Sequence, residues 1–215
     1  MPLPTRTLKE IFALVRQNLS MSKEGKVRLT DNIIWTNANL VLSEIHQIIC
    51  DSGSDHYEKL SGILTSTKDE TESDSITTLA SDVYRLRRIW EYDATGSPAG
   101  LSDLIRSIHE QSGSEIGYEI IENKLHWTPI SHSEFKYKLE YLRTPTAMTD
   151  LSSTPDIPGY ADDAFLTTLT ARCALLAGAE TMGWFELMNS TKRQLVLHCS
   201  NVNPKRQTVF HRIKS

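Results

Sequence analysis

The sequence has no long apolar run. Arg, Asp or other polar residues interrupt every candidate stretch before it reaches the roughly 20 residues that a membrane-spanning helix needs. The N-terminus, MPLPTRTLKE, also lacks the basic region followed by an apolar region that marks a secretory signal peptide. We therefore expect a folded cytoplasmic product with no membrane partner.

Cysteine is scarce, and its spacing excludes the usual cysteine-based sites. Cys50, Cys173 and Cys199 are odd in number, far apart and without the short pair spacing of a zinc site, so we expect free buried thiols. Of the seven histidines only His126 and His132 lie close together, and the sequence offers no third ligand near them. We expect no metal and no cofactor.

Catalytic motifs are also missing. The chain has no Gly-rich phosphate loop, no Gly-x-Ser-x-Gly elbow and no His-Glu-x-x-His pair. Glu110 and Glu115 flank a Gly and Ser turn and could form the carboxylate pair of a glycosidase, although acidic residues beside loops are common. We expect a protein that is not an enzyme.

Acidic residues are absent after Glu186, although the whole chain has a net charge of −4. Such a basic terminus commonly meets an acidic protein surface or a nucleic acid. Because apolar residues are interspersed with the basic ones, we expect residues 201–215 to form a C-terminal arm that docks on another subunit. The candidate contacts are Val202, Lys205, Arg206, Val209, Phe210, Arg212, Ile213 and Lys214.

Four segments have the apolar spacing of helices. It predicts helices over about 7–19, 31–50, 160–182 and 184–198. Thr7 with Glu10 fits a capping box for the first, and Thr30 with Asp31 offers an N-cap for the second. The third is the most apolar, with several Ala residues and a stripe of Phe165, Leu169, Cys173 and Leu176, so we expect it at the centre of the core.

Between the second and third helices lies a β-rich insertion, over about 63–143. The sequence predicts short strands at 63–67 and 76–79 joined by an acidic loop, a strand at 83–92, a short helix at 101–108, a hairpin at 118–127, and a strand at 135–141 with clear alternation. The predicted fold class is mainly α. It is a helical bundle with an inserted antiparallel β-sheet or hairpin region and an extended C-terminal arm, forming a single domain over 1–200.

A cluster of arginines lies on the predicted strand at 83–92. Arg85, Arg87 and Arg88 alternate with Tyr84 and Trp90, a composition that could face DNA or line a channel. The alternative is a solvated strand face whose arginines pair with acidic residues elsewhere, and we favour this alternative.

Several residues and segments follow one another in a set order: Asp82 and the strand Leu86 to Ile89, the hairpin from Tyr118 to Pro129, then Tyr141, Arg143 and Pro145, and finally Ile157, Pro158, Tyr160 and Ala161 before the Ala-rich helix. These residues and the order of the elements resemble those of the head-to-tail adaptor, or connector, proteins of short-tailed phages. The resemblance covers about two thirds of the chain. The customary Pro of the first turn is replaced here by Ala80 or Ser81.

Membership of that family implies a structural virion protein of the neck, made in the cytoplasm of a host bacterium. It implies a homo-oligomeric ring, typically a dodecamer, that binds the portal protein and extends the DNA channel toward a tail or nozzle protein. The helices would form the ring wall and the C-terminal arm would contact the portal. A tail-completion or stopper protein, or a nucleic-acid-binding protein, is the alternative interpretation.

Overall fold

The computed structural model describes residues 6–20, 29–65, 76–92, 98–102, 117–121, 124–128, 136–178 and 181–202. The chain divides into two compact units. One, which we call the helical unit, combines Met1–His56 with Pro145–Ser215; the other, the β unit, is Tyr57–Thr144. The β-rich insertion therefore begins about six residues earlier than the sequence predicts, because strand β1, Glu58–Leu60, is too short and polar to be recognised.

Helix α1, Leu8–Ser20, confirms the first predicted helix to within one residue. The Thr7 N–H donates to Glu10 Oε2 at 2.8 Å and the Glu10 N–H donates to Thr7 Oγ1 at 3.4 Å, which is the reciprocal capping box. One face of the helix is buried. Its residues are Leu8, Ile11, Phe12, Val15 and Leu19.

Helix α2, Asp31–Asp51, also has the predicted start. Thr30 Oγ1 accepts a hydrogen bond from the Ile33 N–H at 3.4 Å and so caps the helix. The helix ends where the Ser52 N–H donates to the Ile48 carbonyl and Gly53 takes a positive φ of 83°, a conformation that glycine adopts without strain.

Helix α3, Asp162–Leu176, follows a single 3₁₀ turn at Gly159–Ala161 and packs against α1, α2 and α4. These contacts confirm the prediction that α3 lies at the centre of the core. The predicted end at residue 182 is wrong, because the Ala177 N–H caps the Cys173 carbonyl and Gly178, at φ 64°, closes the helix.

Helix α4, Met182–Val202, is longer than the predicted segment at both ends. Asn201 and Val202 were predicted as the start of the C-terminal arm, but they are the last two residues of α4. The helix can extend this far because no proline interrupts the sequence before Pro204. The other predicted portal-contacting residues, from Lys205 to Lys214, lie outside the described residues. The three cysteines are free and buried, as predicted.

After β1, the described strands of the β unit are β2 Leu64–Thr65, β3 Ile76–Thr78, β4 Val83–Tyr92, β5 Pro98–Ser102, β6 Gly117–Ile121, β7 Lys124–Thr128 and β8 Lys136–Arg143. These strands form two antiparallel sheets. The larger has the order β1-β8-β4-β5, with β2 also paired to β8, and the smaller has the order β3-β7-β6.

Pairing between distant strands explains where the sequence prediction of the insertion succeeds and fails. The hairpin of β6 and β7 is confirmed, and so is the alternation of β8, where Tyr137, Leu139 and Tyr141 are buried. The short helix predicted at 101–108 is wrong at its start, because Leu101 and Ser102 pair with β4 in strand β5. Residues 103–108 lie outside the described residues.

The β unit has its own hydrophobic core, to which both sheets contribute. Leu125 of β7 packs with residues of β4 and β8 in one buried cluster. That cluster comprises Leu79, Ile89, Leu125, Tyr137, Leu139 and Tyr141. Within the described residues the fold is therefore a mixture of four α-helices and antiparallel β-sheets, and none of these helices is long and apolar enough to cross a bilayer.

Candidate interaction surfaces

The arginines of β4 do not occupy equivalent environments. The strand register shifts between Val83 and Arg85 and again between Leu86 and Arg88, so that every third residue, Val83, Leu86 and Ile89, packs toward the core. Arg85 and Arg88 are exposed, and the Arg85 guanidinium lies 5.6 Å from the ring centre of Tyr84.

Arg87 is engaged within the β unit. Its Nη1 lies 3.0 Å from Glu58 Oε2 on β1, and both side chains are largely buried. An arginine that neutralises a neighbouring carboxylate is less available to a phosphate. This pairing is what we expect if β4 presents a solvated face whose arginines pair with acidic residues elsewhere. The channel-facing or DNA-facing role of Arg85, Arg87 and Arg88 stays a prediction.

Two residues that carry the resemblance, Asp82 and Tyr141, meet in space. The Tyr141 hydroxyl donates to Asp82 Oδ1 at 3.2 Å, while Lys59 Nζ donates to Asp82 Oδ2 at 2.6 Å. The Lys59 hydrogen bond holds the pKa of Asp82 below its ordinary value. The Thr144 N–H donates to the Asp82 carbonyl at 2.7 Å. These residues therefore brace the ends of β1, β4 and β8, which is a structural role.

Tyr160, another residue of the resemblance, links three elements of the helical unit. Its hydroxyl lies 3.1 Å from Ser54 Oγ after α2 and 3.9 Å from the Cys199 Sγ of α4, and its ring centre is 4.3 Å from that of His198. Burial raises the pKa of Tyr160 to about 12. The hydroxyl therefore stays protonated at neutral pH, and its hydrogen bonds link the end of α2 to α4.

Glu44 of α2 joins three helices. Its Oε2 accepts from Arg172 Nη2 of α3 at 2.8 Å, and its Oε1 accepts from Lys192 Nζ of α4 at 2.5 Å. Burial raises the pKa of Glu44, but the hydrogen bonds from Lys192 and Arg172 outweigh it and leave the pKa below its ordinary value. No sequence pattern predicts this cluster, because Glu44, Arg172 and Lys192 are far apart in the chain.

We expect Glu44→Gln to lower the free energy of unfolding of the helical unit by roughly 1–2 kcal/mol at pH 7, a value discounted for the partial exposure of the group. Because the pKa of Glu44 is lower in the folded state, its contribution is complete above the unfolded value of about 4.3 and is lost as the pH falls through the folded value. Urea unfolding of both proteins from pH 7 to pH 3 measures this, with the exposed Glu186→Gln as the control. A gap between wild type and Glu44→Gln that stays constant as the pH falls would contradict the assignment.

Helix α2 presents an exposed strip to solvent. Its members recur at steps of three and four residues, so they lie on one face, opposite the buried stripe that includes Val41 and Ile45. Leu40, in the middle, is 53% exposed. We call this the α2 strip: Ile33, Thr36, Leu40, Ser43, Gln47 and Asp51.

Helix α4 presents a second exposed strip. It lies away from the buried Leu195 and Cys199, and Leu197 within it is 63% exposed. Val196, beside it, is exposed as well. We call this the α4 strip: Glu186, Ser190, Arg193, Val196, Leu197 and Asn201.

A third exposed apolar group lies at the end of α3 and the start of α4. It consists of Leu175, Leu176 and Met182, of which Met182 is 73% exposed. The spacing of α3 predicts Leu176 on the buried stripe, but the helix ends at this residue and its side chain projects into solvent.

Within the described ranges, no cluster of three or more His, Cys, Asp or Glu could hold a metal ion. Glu110, Glu115 and His132 lie outside those ranges, so the structure gives no distances that bear on the glycosidase alternative. The features that stand out are instead the exposed apolar groups, namely the two helical strips and the group of Leu175, Leu176 and Met182, none of which the sequence predicts. No protein-family model matches this chain, and the search of curated proteins finds no significant match.

Proposed function

We propose that this protein is a structural component of a phage virion, the head-to-tail adaptor that forms a ring beneath the portal protein and extends the DNA channel toward the tail. In this proposal the four described helices form a bundle that makes the ring wall, typically in twelve copies, and the C-terminal arm contacts the portal. The protein acts without a cofactor and is not an enzyme.

The observation that carries the proposal is the pair of exposed strips on α2 and α4. The same helices already fill the core with their opposite faces, whereas Leu40 and Leu197 are more than half exposed among the residues that the structure describes. Exposed leucines on two different helix faces suit a protein that contacts neighbours on two sides. A ring subunit needs this arrangement, whereas an enzyme needs a cleft with convergent polar groups.

The order of elements and the structural roles of Asp82, Tyr141 and Tyr160 give further support. These residues carry the resemblance to the adaptor family, and each one fastens elements of the fold together. The engagement of Arg87 by Glu58 favours the adaptor over a protein that binds nucleic acid through this strand.

Binding to the portal ring of the same phage tests the proposal. We expect nuclease-treated protein to co-sediment with portal rings, and nuclease treatment to leave the amount bound unchanged. If binding disappears after nuclease treatment and falls steeply with salt, the protein acts on nucleic acid and the proposal is wrong.

A further inference from the structure

We propose that Tyr160 is a positioning residue for portal binding, because it holds the end of α4 in place and so fixes the point from which residues 203–215 reach the portal. The inference rests on the proposed function, in which the C-terminal arm contacts the portal. It adds a residue outside the arm that sets how tightly the arm binds.

Tyr160 contacts α4 close to its C-terminal end. Its hydroxyl lies 3.9 Å from Cys199 Sγ, and its ring centre lies 4.3 Å from that of His198. Cys199 is buried, and only residues 200–202 follow it in the helix. The contact with Tyr160 therefore lies within about one helical turn of the point where the rest of the arm begins.

Tyr160 is itself held in place by the start of α3 and by the segment after α2. It belongs to the 3₁₀ turn Gly159–Ala161, in which the Ala161 N–H donates to the Pro158 carbonyl at 2.8 Å. The Tyr160 hydroxyl also lies 3.1 Å from Oγ of the buried Ser54. A side chain that is fixed on both sides in this way opposes movement of the helix end that it contacts.

The middle of α4 is held independently of Tyr160. Lys192 binds Glu44 of α2, and Leu195 is buried. From Leu195 to the last helical residue, Val202, the helix continues for about 10 Å. Because helix ends with few tertiary contacts open more readily than packed segments, loss of the Tyr160 side chain should free the end of α4 and leave its middle packed.

A fixed end of α4 favours portal binding through pre-organisation. An arm that starts from a fixed point searches a smaller volume for its partner surface than an arm attached to a frayed helix end. We expect Tyr160→Ala in the full chain to weaken portal binding roughly three- to tenfold, although the sequence of the arm is unchanged.

Alkylation of the thiols tests the structural step in the protein alone. In Tyr160→Ala, Cys199 should react with iodoacetamide at least roughly fivefold faster than in the wild type, while the buried Cys173 of α3 keeps its rate. Mass spectrometry of the peptides locates the label. Tyr160→Phe, which keeps the ring beside His198, should have a smaller effect. Tyr84→Ala is the matched control, since Tyr84 is 38% exposed and Tyr160 is 40% exposed.

A flexible linker separates positioning from stability. Inserting Gly-Ser-Gly between Val202 and Asn203 uncouples the arm from the end of α4. In that background Tyr160→Ala should change the portal affinity by less than about twofold, because the arm no longer starts from a fixed point. A purely structural role of Tyr160 predicts the same loss of affinity with and without the linker.

The possible results separate this inference from the proposed function. An equal loss of affinity with and without the linker, an unchanged affinity of Tyr160→Ala in the natural chain, or Cys173 that reacts as fast as Cys199 would each overturn the positioning role. If the wild type still binds the portal in those cases, the adaptor function stands. A wild-type protein that does not bind the portal would overturn the adaptor function and this inference with it.

Discussion

Replacing Phe165 with alanine is expected to lower the free energy of unfolding of the helical unit by about 3–5 kcal/mol, the usual range for removing a buried phenylalanine. Phe165 is fully buried on α3, the helix that contacts the other three. The substitution removes the transfer free energy of the ring and leaves a cavity that three packed helices cannot easily fill.

Urea unfolding followed at 222 nm measures this effect, because the helices dominate the signal at that wavelength. Leu175→Ala is the control on the same helix, since Leu175 is 58% exposed and its loss should change stability by no more than about 0.5 kcal/mol. A loss below about 1 kcal/mol for Phe165→Ala would mean that α3 is not the central element of the core.

Deleting residues 203–215 should abolish portal binding while leaving the fold intact. The cut falls just after α4, so every described helix and strand is retained. We expect the affinity for the portal to fall by at least roughly thirtyfold, because the loss of even one anchor worth about 2 kcal/mol has that effect. Binding isotherms of the wild type and the deletion protein measure the affinity for the portal, and circular dichroism of both shows whether the fold is intact.

Two full-length variants separate the contributions of charge and of apolar contact within this segment. One replaces Lys205, Arg206, Arg212 and Lys214 with Gln, and the other replaces Val209, Phe210 and Ile213 with Ser. Binding by the first should lose its dependence on salt, and binding by the second should weaken equally at all salt concentrations. Unchanged portal binding by the deletion protein would show that the arm is not the contact.

Local signals in the sequence identified the helices well. The capping box at Thr7 and Glu10 and the N-cap at Thr30 fixed two helix starts to within a residue, because both depend on neighbours in the chain. The end of α3 was missed, since its apolar spacing continues past the point where Gly178 turns the backbone.

Non-local pairing set the limits of prediction in the β unit. The alternation of β8 was visible because one of its faces is buried. The two predicted strands near residues 65 and 77 follow each other in sequence, yet β2 pairs with β8 and β3 pairs with β7 in a different sheet. Strand order of this kind depends on contacts between distant segments, which periodicity does not report.

The candidate interaction surfaces likewise combine local features that the sequence predicts with non-local ones that it does not. Exposed leucines become conspicuous only when the buried face of each helix is known, and Leu176 was predicted on the buried stripe of α3 although it is 57% exposed. In the cluster around Glu44, Arg172 is 128 positions and Lys192 is 148 positions further along the chain than Glu44. The charge asymmetry could be recognised in the sequence itself, because every charged residue from Lys192 to Lys214 is basic.

The mass of the protein in solution, measured by analytical ultracentrifugation alone and with the portal ring of its own phage, tests the central claim most directly. The proposed adaptor function predicts that the chain joins the portal in a fixed ring stoichiometry, whether it begins as a monomer or as a preformed ring. A mixture in which portal and protein sediment independently would contradict that function and would favour a stopper protein or one that acts on DNA.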